Sequence, residues 1–191
     1  MANHVNSYLQ FRSVNEEGKK VIQNIVERFD KHKNNHECPL AYTFVDNLDD
    51  IDMEFMHENV GAKWAYAQDW DTDGFSMVSA WSIPEAFVLH VVEKVGDVDP
   101  NSIAILTYED EMPNFIGVDI YIGGDTFDGE ELSDDEVREE LLSRYTELAE
   151  LWDEDEEDWT DDGEAYFDHL WDFIDTWQNE FIDHALKELE E

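Results

Sequence analysis

Apolar and polar residues follow two rhythms along this chain. Residues 5–13 change side at nearly every step, the period of a strand with one covered face. From Glu16 the rhythm lengthens. Val21, Ile22, Ile25, Val26 and Phe29 recur at helical spacing, and Asn15 stands where its side chain caps the first turn. Residues 31–37 are polar and loop-like, and residues 40–46 predict a short strand. Residues 63–70 and 75–81 predict two strands joined through Asp71-Thr72-Asp73-Gly74, where the Asp-Gly step favours a hairpin turn. Pro84 sits in the first turn of a helix that runs to about Val95, with Phe87, Val88, Val91 and Val92 apolar. Residues 103–108 and 115–122 predict two more strands, linked by the turn-like Asp110-Glu111-Met112-Pro113-Asn114.

The resulting order, β-α-(β)-β-β-α-β-β, predicts an α+β fold: one antiparallel sheet with helices on one face. Residues 123–132 read as a loop or linker. Ser133 and Glu136 form a capping box for a helix to about Trp152, whose apolar stripe is Val137, Leu141, Tyr145, Leu148 and Trp152. Residues 153–158 are an acidic connector. Thr160 caps a last helix over about 161–189. Its stripe is Tyr166, Leu170, Phe173, Trp177 and Phe181, widened by Phe167, Ile174 and Ala185. The expected organisation is an α+β domain over residues 1–124 and an acidic α-helical hairpin over 125–191, packed on the same core.

Charge changes this picture most. The chain has 191 residues, with 50 acidic against 11 basic, a formal net charge of −39. Residues 1–124 hold 22 acids and 8 bases, net −14, whereas residues 125–191 hold 28 acids and 3 bases, net −25. A protein adapted to high salt spreads its acids over the whole surface, so concentration in one segment points to a local purpose or an acidic tail. Such a charge excludes ordinary nucleic-acid binding, which needs Lys and Arg to neutralise phosphates, and binding to anionic membranes. Basic surfaces and cations are the partners that remain. Hydrophobic residues are 42% and aromatics 13% of the chain, enough for a core, which argues against global disorder. Cys38 is the single cysteine, so no intramolecular disulfide forms, which fits a reducing compartment. There is no apolar run of membrane-spanning length and no signal-peptide pattern at the start, so the cytoplasm is the expected location.

Several central strings carry a resemblance. Gly61-Ala62-Lys63-Trp64, Ser79-Ala80-Trp81-Ser82-Ile83-Pro84, Phe115-Ile116-Gly117 and the opening Ala2-Asn3-His4-Val5-Asn6 resemble the Api92/YubB-type ferredoxin-like domain of phages and plasmids. The family patterns are G-T-K-W, T-A-W-S-P-P and F-x-G in the same order. Here Ala62 replaces Thr and Ile83 replaces the first Pro. The resemblance covers about residues 1–124. It implies a ferredoxin-like α+β sandwich carried by a mobile element, and it brings no catalytic residues.

The candidate site lies outside that resemblance. Glu164, Asp168, Asp172, Asp175 and Asp183, with Asn179, step by threes and fours along the last helix, opposite its aromatic stripe. Glu136, Glu140, Glu147 and Glu150 make a second ridge on the helix before it. Four residues of helix rise ~6 Å, and phosphates of one DNA strand recur every ~3.4 Å along the axis. Two carboxylate ridges therefore predict a surface that imitates DNA. The competing reading is a solvated charged face. Like charges at i,i+4 cost roughly 0.2–0.5 kcal/mol per pair, and their repetition without interleaved Lys argues for selection on charge.

Other constellations are weaker. Residues 69–74 look like the start of a calcium loop, but the position of the bidentate Glu holds Ala80 and the flanks are strands, so a hairpin turn is expected. His32, His36 and Cys38 have zinc-binding residue types without a fourth ligand nearby. His90 reads as a partly buried structural residue. The chain carries no Gly-rich phosphate loop, nucleophile elbow or HExxH. The expectation is a non-catalytic protein without cofactor or metal. It would act as an inhibitor or decoy on the basic nucleic-acid-binding surface of a host nuclease, restriction enzyme or DNA-modifying defence protein. The alternatives are an acidic accessory module without mimicry, and an enzyme on the sheet face around Lys63, Trp64 and Trp81.

Overall fold

In the computed structural model the described residues are 3–34, 36–49, 51–112, 114–153, 158–159 and 164–189, without the side chains of 149–153, 158–159, 164–165 and 168. The expected Thr160 cap and most of the acidic connector lie outside them. Two compact units emerge: Met1–Met112 with Val118–Glu130, and Pro113–Gly117 with Glu131–Glu191.

The first unit is built on β1 (His4–Ser13), α1 (Glu16–His32), β2 (Cys38–Pro39), α2 (Met53–Asn59), β3 (Ala65–Trp70), β4 (Gly74–Ala80), α3 (Glu85–Gly96) and β5 (Ile103–Asp110). With β6 (Phe115–Ile122) and β7 (Asp125–Ser133) the strands form a seven-stranded antiparallel sheet in the order β2-β3-β4-β1-β5-β6-β7. The register explains the alternation of β1. Val5, Ser7 and Leu9 pair with Ser79, Met77 and Phe75 on one side and with Asp110, Tyr108 and Leu106 on the other. All nine are buried. On β3, Ala65 and Ala67 pair with Ser79 and Met77 in the same layer.

The two longer helices cover this face through an aromatic cluster. Phe29 of α1 lies 5.9 Å from Phe75 of β4 and 6.3 Å from Phe87 of α3, and Phe75 lies 6.0 Å from Phe87. None of the three rings is accessible to water. Each contributes roughly 1.5–3 kcal/mol of burial, and edge-to-face pairing adds to that. A buried carboxylate fixes where α1 begins. Asp99, after α3, accepts the Asn15 N–H at 2.6 Å and the Asn101 N–H at 3.3 Å. The Asn15 side chain in turn accepts the N–H groups of Glu17 and Gly18, capping α1 as its position predicts.

The hairpin expected at 69–74 is present. The Asp71 carboxylate accepts the N–H groups of Asp73 (2.7 Å) and Gly74 (3.1 Å). Residues 40–46 correct the expected strand: Leu40–Thr43 form a single 3-10 helix. Residues 123–132 correct the expected loop. Gly123 and Gly124, with φ of 58° and 93°, make the two-residue turn of a hairpin, and β7 follows at the sheet edge. The strand escapes periodicity analysis because seven of its nine residues are exposed. Ladder hydrogen bonds hold it, not burial. A side chain at Gly96 of α3 would collide with the Gly123 backbone, so this close approach requires glycine.

The second unit contains α4 (Asp134–Arg144), a 3-10 helix over Thr146–Leu151, the two-residue strands β8 (Trp152–Asp153) and β9 (Asp158–Trp159), and α5 (Glu164–Glu188). The capping box at Ser133 and Glu136 is present. The helix it opens is shorter than expected: Tyr145 leaves the helical region (φ −121°, ψ 75°) and the chain tightens into the 3-10 helix. Among the described residues no helix is long and apolar enough to cross a membrane.

Two outcomes follow for stability. Asp99→Ala, which orphans the Asn15 N–H, should lose about 1–3 kcal/mol in a urea titration. Glu109 of β5 is pushed up to about 7 by burial, partly offset by a hydrogen bond with Asn6. Folded Glu109 thus keeps its proton to about pH 7 while the unfolded chain releases it near pH 4, so its contribution favours folding at low pH and fades as pH rises through that window. Glu109→Gln should be about 1–3 kcal/mol more stable than wild type near pH 8 and equal to it near pH 4.

Candidate protein-binding surface

The second unit forms its acidic surface on an amphipathic scaffold. Along α5, Tyr166, Leu170, Phe173, Ile174, Trp177, Ile182 and Ala185 are buried. Asp172, Asp175, Asn179 and Asp183 are exposed on the opposite side. The step from Asp172 to Asp183 is eleven residues, a rise of ~16 Å. The Asn179 amide is tied to the helix backbone, donating to the Asp175 carbonyl at 2.7 Å. Among the described residues no cation lies within ion-pair distance of Asp172, Asp175 or Asp183. The nearby arginine is engaged elsewhere: Arg144 meets Glu180 at 2.9 Å and stands 5.3 Å from the centre of the Phe173 ring. The side chains of Glu164 and Asp168 lie outside the described residues.

The other ridge is placed differently from its expected row. The Glu136 carboxylate accepts the Ser133 N–H at 2.9 Å and its hydroxyl at 2.7 Å. These bonds hold its carboxyl below the usual range. Glu136 is therefore a cap as well as a charge. Glu140 is exposed on α4. Glu147 is exposed too, but it belongs to the 3-10 helix beyond the break at Tyr145, as does Glu150, whose side chain is outside the described residues. Glu136 and Glu140 share an α-helix; Glu147 and Glu150 do not continue its spacing.

Two large aromatic side chains of α5 are exposed. Phe167, expected in the apolar stripe, is 50% exposed, and Trp171 is 46% exposed. They are one helical turn apart. Their stripe continues through Ile174 and Ile182, which are buried. Helical spacing places both beside the apolar stripe and does not show how far that stripe is covered.

The remaining candidates are scattered. Cys38 is buried in β2, its thiol pushed up to about 12 by burial and by Asp30. His32 stacks on Tyr42 at 4.1 Å, and His36 is exposed. His90 lies against Phe44 at 4.8 Å and is lowered by burial and by Lys94. Lys63 and Trp64 line a cleft of about 220 Å³ with Leu48, Ile51, Met56 and Tyr66. Trp81 stands apart, 56% exposed with φ of 70°. Compared with known protein families, curated proteins and solved structures, the chain matches none.

The ridge and the cap respond differently to substitution. Ser133→Ala should cost about 0.5–2 kcal/mol. Joint Asp172→Asn, Asp175→Asn and Asp183→Asn removes repulsion and should leave the melting temperature unchanged or raised. A marked fall in that triple variant would show that these carboxylates hold the fold rather than face a partner.

Proposed function

We propose that this chain is a non-catalytic acidic protein of a phage or other mobile element, which binds the basic nucleic-acid-binding surface of a host enzyme in the host cytoplasm. The observation that carries this reading is the α5 face on which Asp172, Asp175 and Asp183 stand exposed, without a cationic partner among the described residues. Carboxylates that serve a fold sit in caps and ion pairs, as Glu136 and Glu180 do. Carboxylates left unneutralised in a row repel one another at a cost, and a cationic partner recovers it. Asp172 and Asp175 stand ~4.5 Å apart along the axis and Asp183 ~12 Å further on, a row of the same sign as a phosphate track but sparser than its ~3.4 Å repeat, and it is the sign of the charge that supports imitation of DNA.

The fold fits the same origin. The strand order β5-β1-β4-β3, with α1 after β1 and α3 after β4, supports a ferredoxin-like reading of the first unit. That agrees with the resemblance of its Gly61–Trp64 and Ser79–Pro84 strings to the Api92/YubB type. Association would be electrostatically steered, fast and strongly salt-dependent.

A second reading is an acidic accessory module that binds a basic protein without copying nucleic-acid geometry. The break at Tyr145 favours it, because Glu147 and Glu150 then fall out of step with Glu136 and Glu140. Competition separates the two. Proteins retained from host lysate by the intact chain at low salt are challenged with duplex DNA. A mimic is displaced from its partner's groove, whereas an accessory module keeps its partner. In either case Asp172→Lys, Asp175→Lys and Asp183→Lys together should reduce retention by at least tenfold. Undiminished retention by that variant refutes the proposed surface.

A further inference from the structure

A row of carboxylates accounts for affinity toward cations but not for Phe167 and Trp171. Both side chains are about half exposed on the helix that carries the ridge. They lie at i and i+4, so the rings share one face, and Asp175 continues that line one turn further on. Asp172 is the next residue after Trp171 and is exposed. The helix therefore presents aromatic rings and carboxylates without an ion-pair partner among the described residues side by side over about two turns.

The two rings belong to a stripe that is buried from Ile174 onward. Among the other described residues, exposed large apolar side chains such as Met53 on α2 and Trp81 after β4 stand apart in the chain. Phe167, whose ring meets that of Tyr166 edge-on at 5.2 Å, and Trp171 stand one turn apart on one helix, and exposed aromatics of this kind are what interfaces use as anchors. Uncovered aromatics beside a repulsive acidic ridge do not suit a second copy of this chain, whose net charge is also −39. Charge complementarity requires a cationic occupant with somewhere to seat a ring.

Surfaces that track a duplex hold its phosphates with basic and polar groups while the bases stay stacked in the helix, whereas grooves for single-stranded nucleic acid combine basic side chains with aromatic platforms on which bases stack. We propose that Phe167 and Trp171 take the place of stacked bases, with Asp172 and Asp175 in the place of phosphates, and that the occupant is a protein groove of the single-strand type. This rests on the acidic-surface reading above and adds the aromatic requirement to it.

The test uses the full chain and two lysine peptides of equal length and charge, one with tyrosine between the lysines and one with serine, followed by fluorescence anisotropy of a peptide label. Wild type should bind the tyrosine peptide about tenfold more tightly than the serine peptide. Phe167→Ala with Trp171→Ala should erase that difference and leave the affinity for the serine peptide within about twofold. Phe167→Gln with Trp171→Gln, which keeps side-chain length on the helix, must give the same result. Equal binding of the two peptides by wild type, or a preference that survives both double variants, overturns the proposal. The Asp172, Asp175 and Asp183 to Lys variant acts on the other arm. If it binds the serine peptide as wild type does, the acidic surface itself is wrong, whatever the aromatics do.

Discussion

Self-repulsion is the constraint under which everything else in this molecule is arranged. Fifty carboxylates on a chain with eleven basic side chains push every compact state apart. What opposes them is apolar contact concentrated at a few points, above all the Phe29, Phe75 and Phe87 cluster that clamps α1 and α3 to β4. Several of the basic residues are used close to home. Lys19, Lys20 and Lys33 pair with acids of the same helical region, and Arg28 ties down the loop at Tyr42, Val45 and Asp46. The first unit thereby softens its own field. The second keeps only Arg138, Arg144 and Lys187 for that purpose. The asymmetry of charge is thus also an asymmetry of neutralisation, and it leaves the field of α5 directed at solvent.

The elements that sequence reasoning finds are those whose stability comes from burial or from local capping. The alternation of β1 is legible because its inner side chains fill the layer between sheet and helices. The starts of α1 and α4 are legible because Asn15, Ser133 and Glu136 satisfy backbone groups within a few residues. Elements held by other means escape. Strand β7 is held through its backbone ladder and shows no alternation. The 3-10 helix over Leu40–Thr43 has the same apolar residues that a strand would use, and short apolar runs do not distinguish the two. The helix α2 has no fully buried residue to give it a rhythm and is announced only by the Asp52 cap, whose carboxylate accepts the Phe55 N–H at 2.9 Å.

The acidic site divides along similar lines. That Asp172, Asp175 and Asp183 face away from the core follows from helical periodicity, because the aromatic stripe fixes which side is inward. The fate of the preceding ridge does not follow, since it depends on where α4 ends, and Tyr145 ends it without Gly or Pro to mark the place. The exposure of Phe167 and Trp171 is likewise set by where tertiary cover stops. Spacing says which residues share a face and is silent on how much of that face a neighbour reaches.

Strand β7 has one more consequence. An open sheet edge is a template on which another chain can add a strand, the first step toward fibres and precipitates. Here the outermost long strand carries Asp125, Asp128, Glu130 and Glu131. A second copy approaching that edge brings the same four carboxylates against them. The molecule should therefore stay dispersed at the high concentrations an abundantly expressed protein reaches.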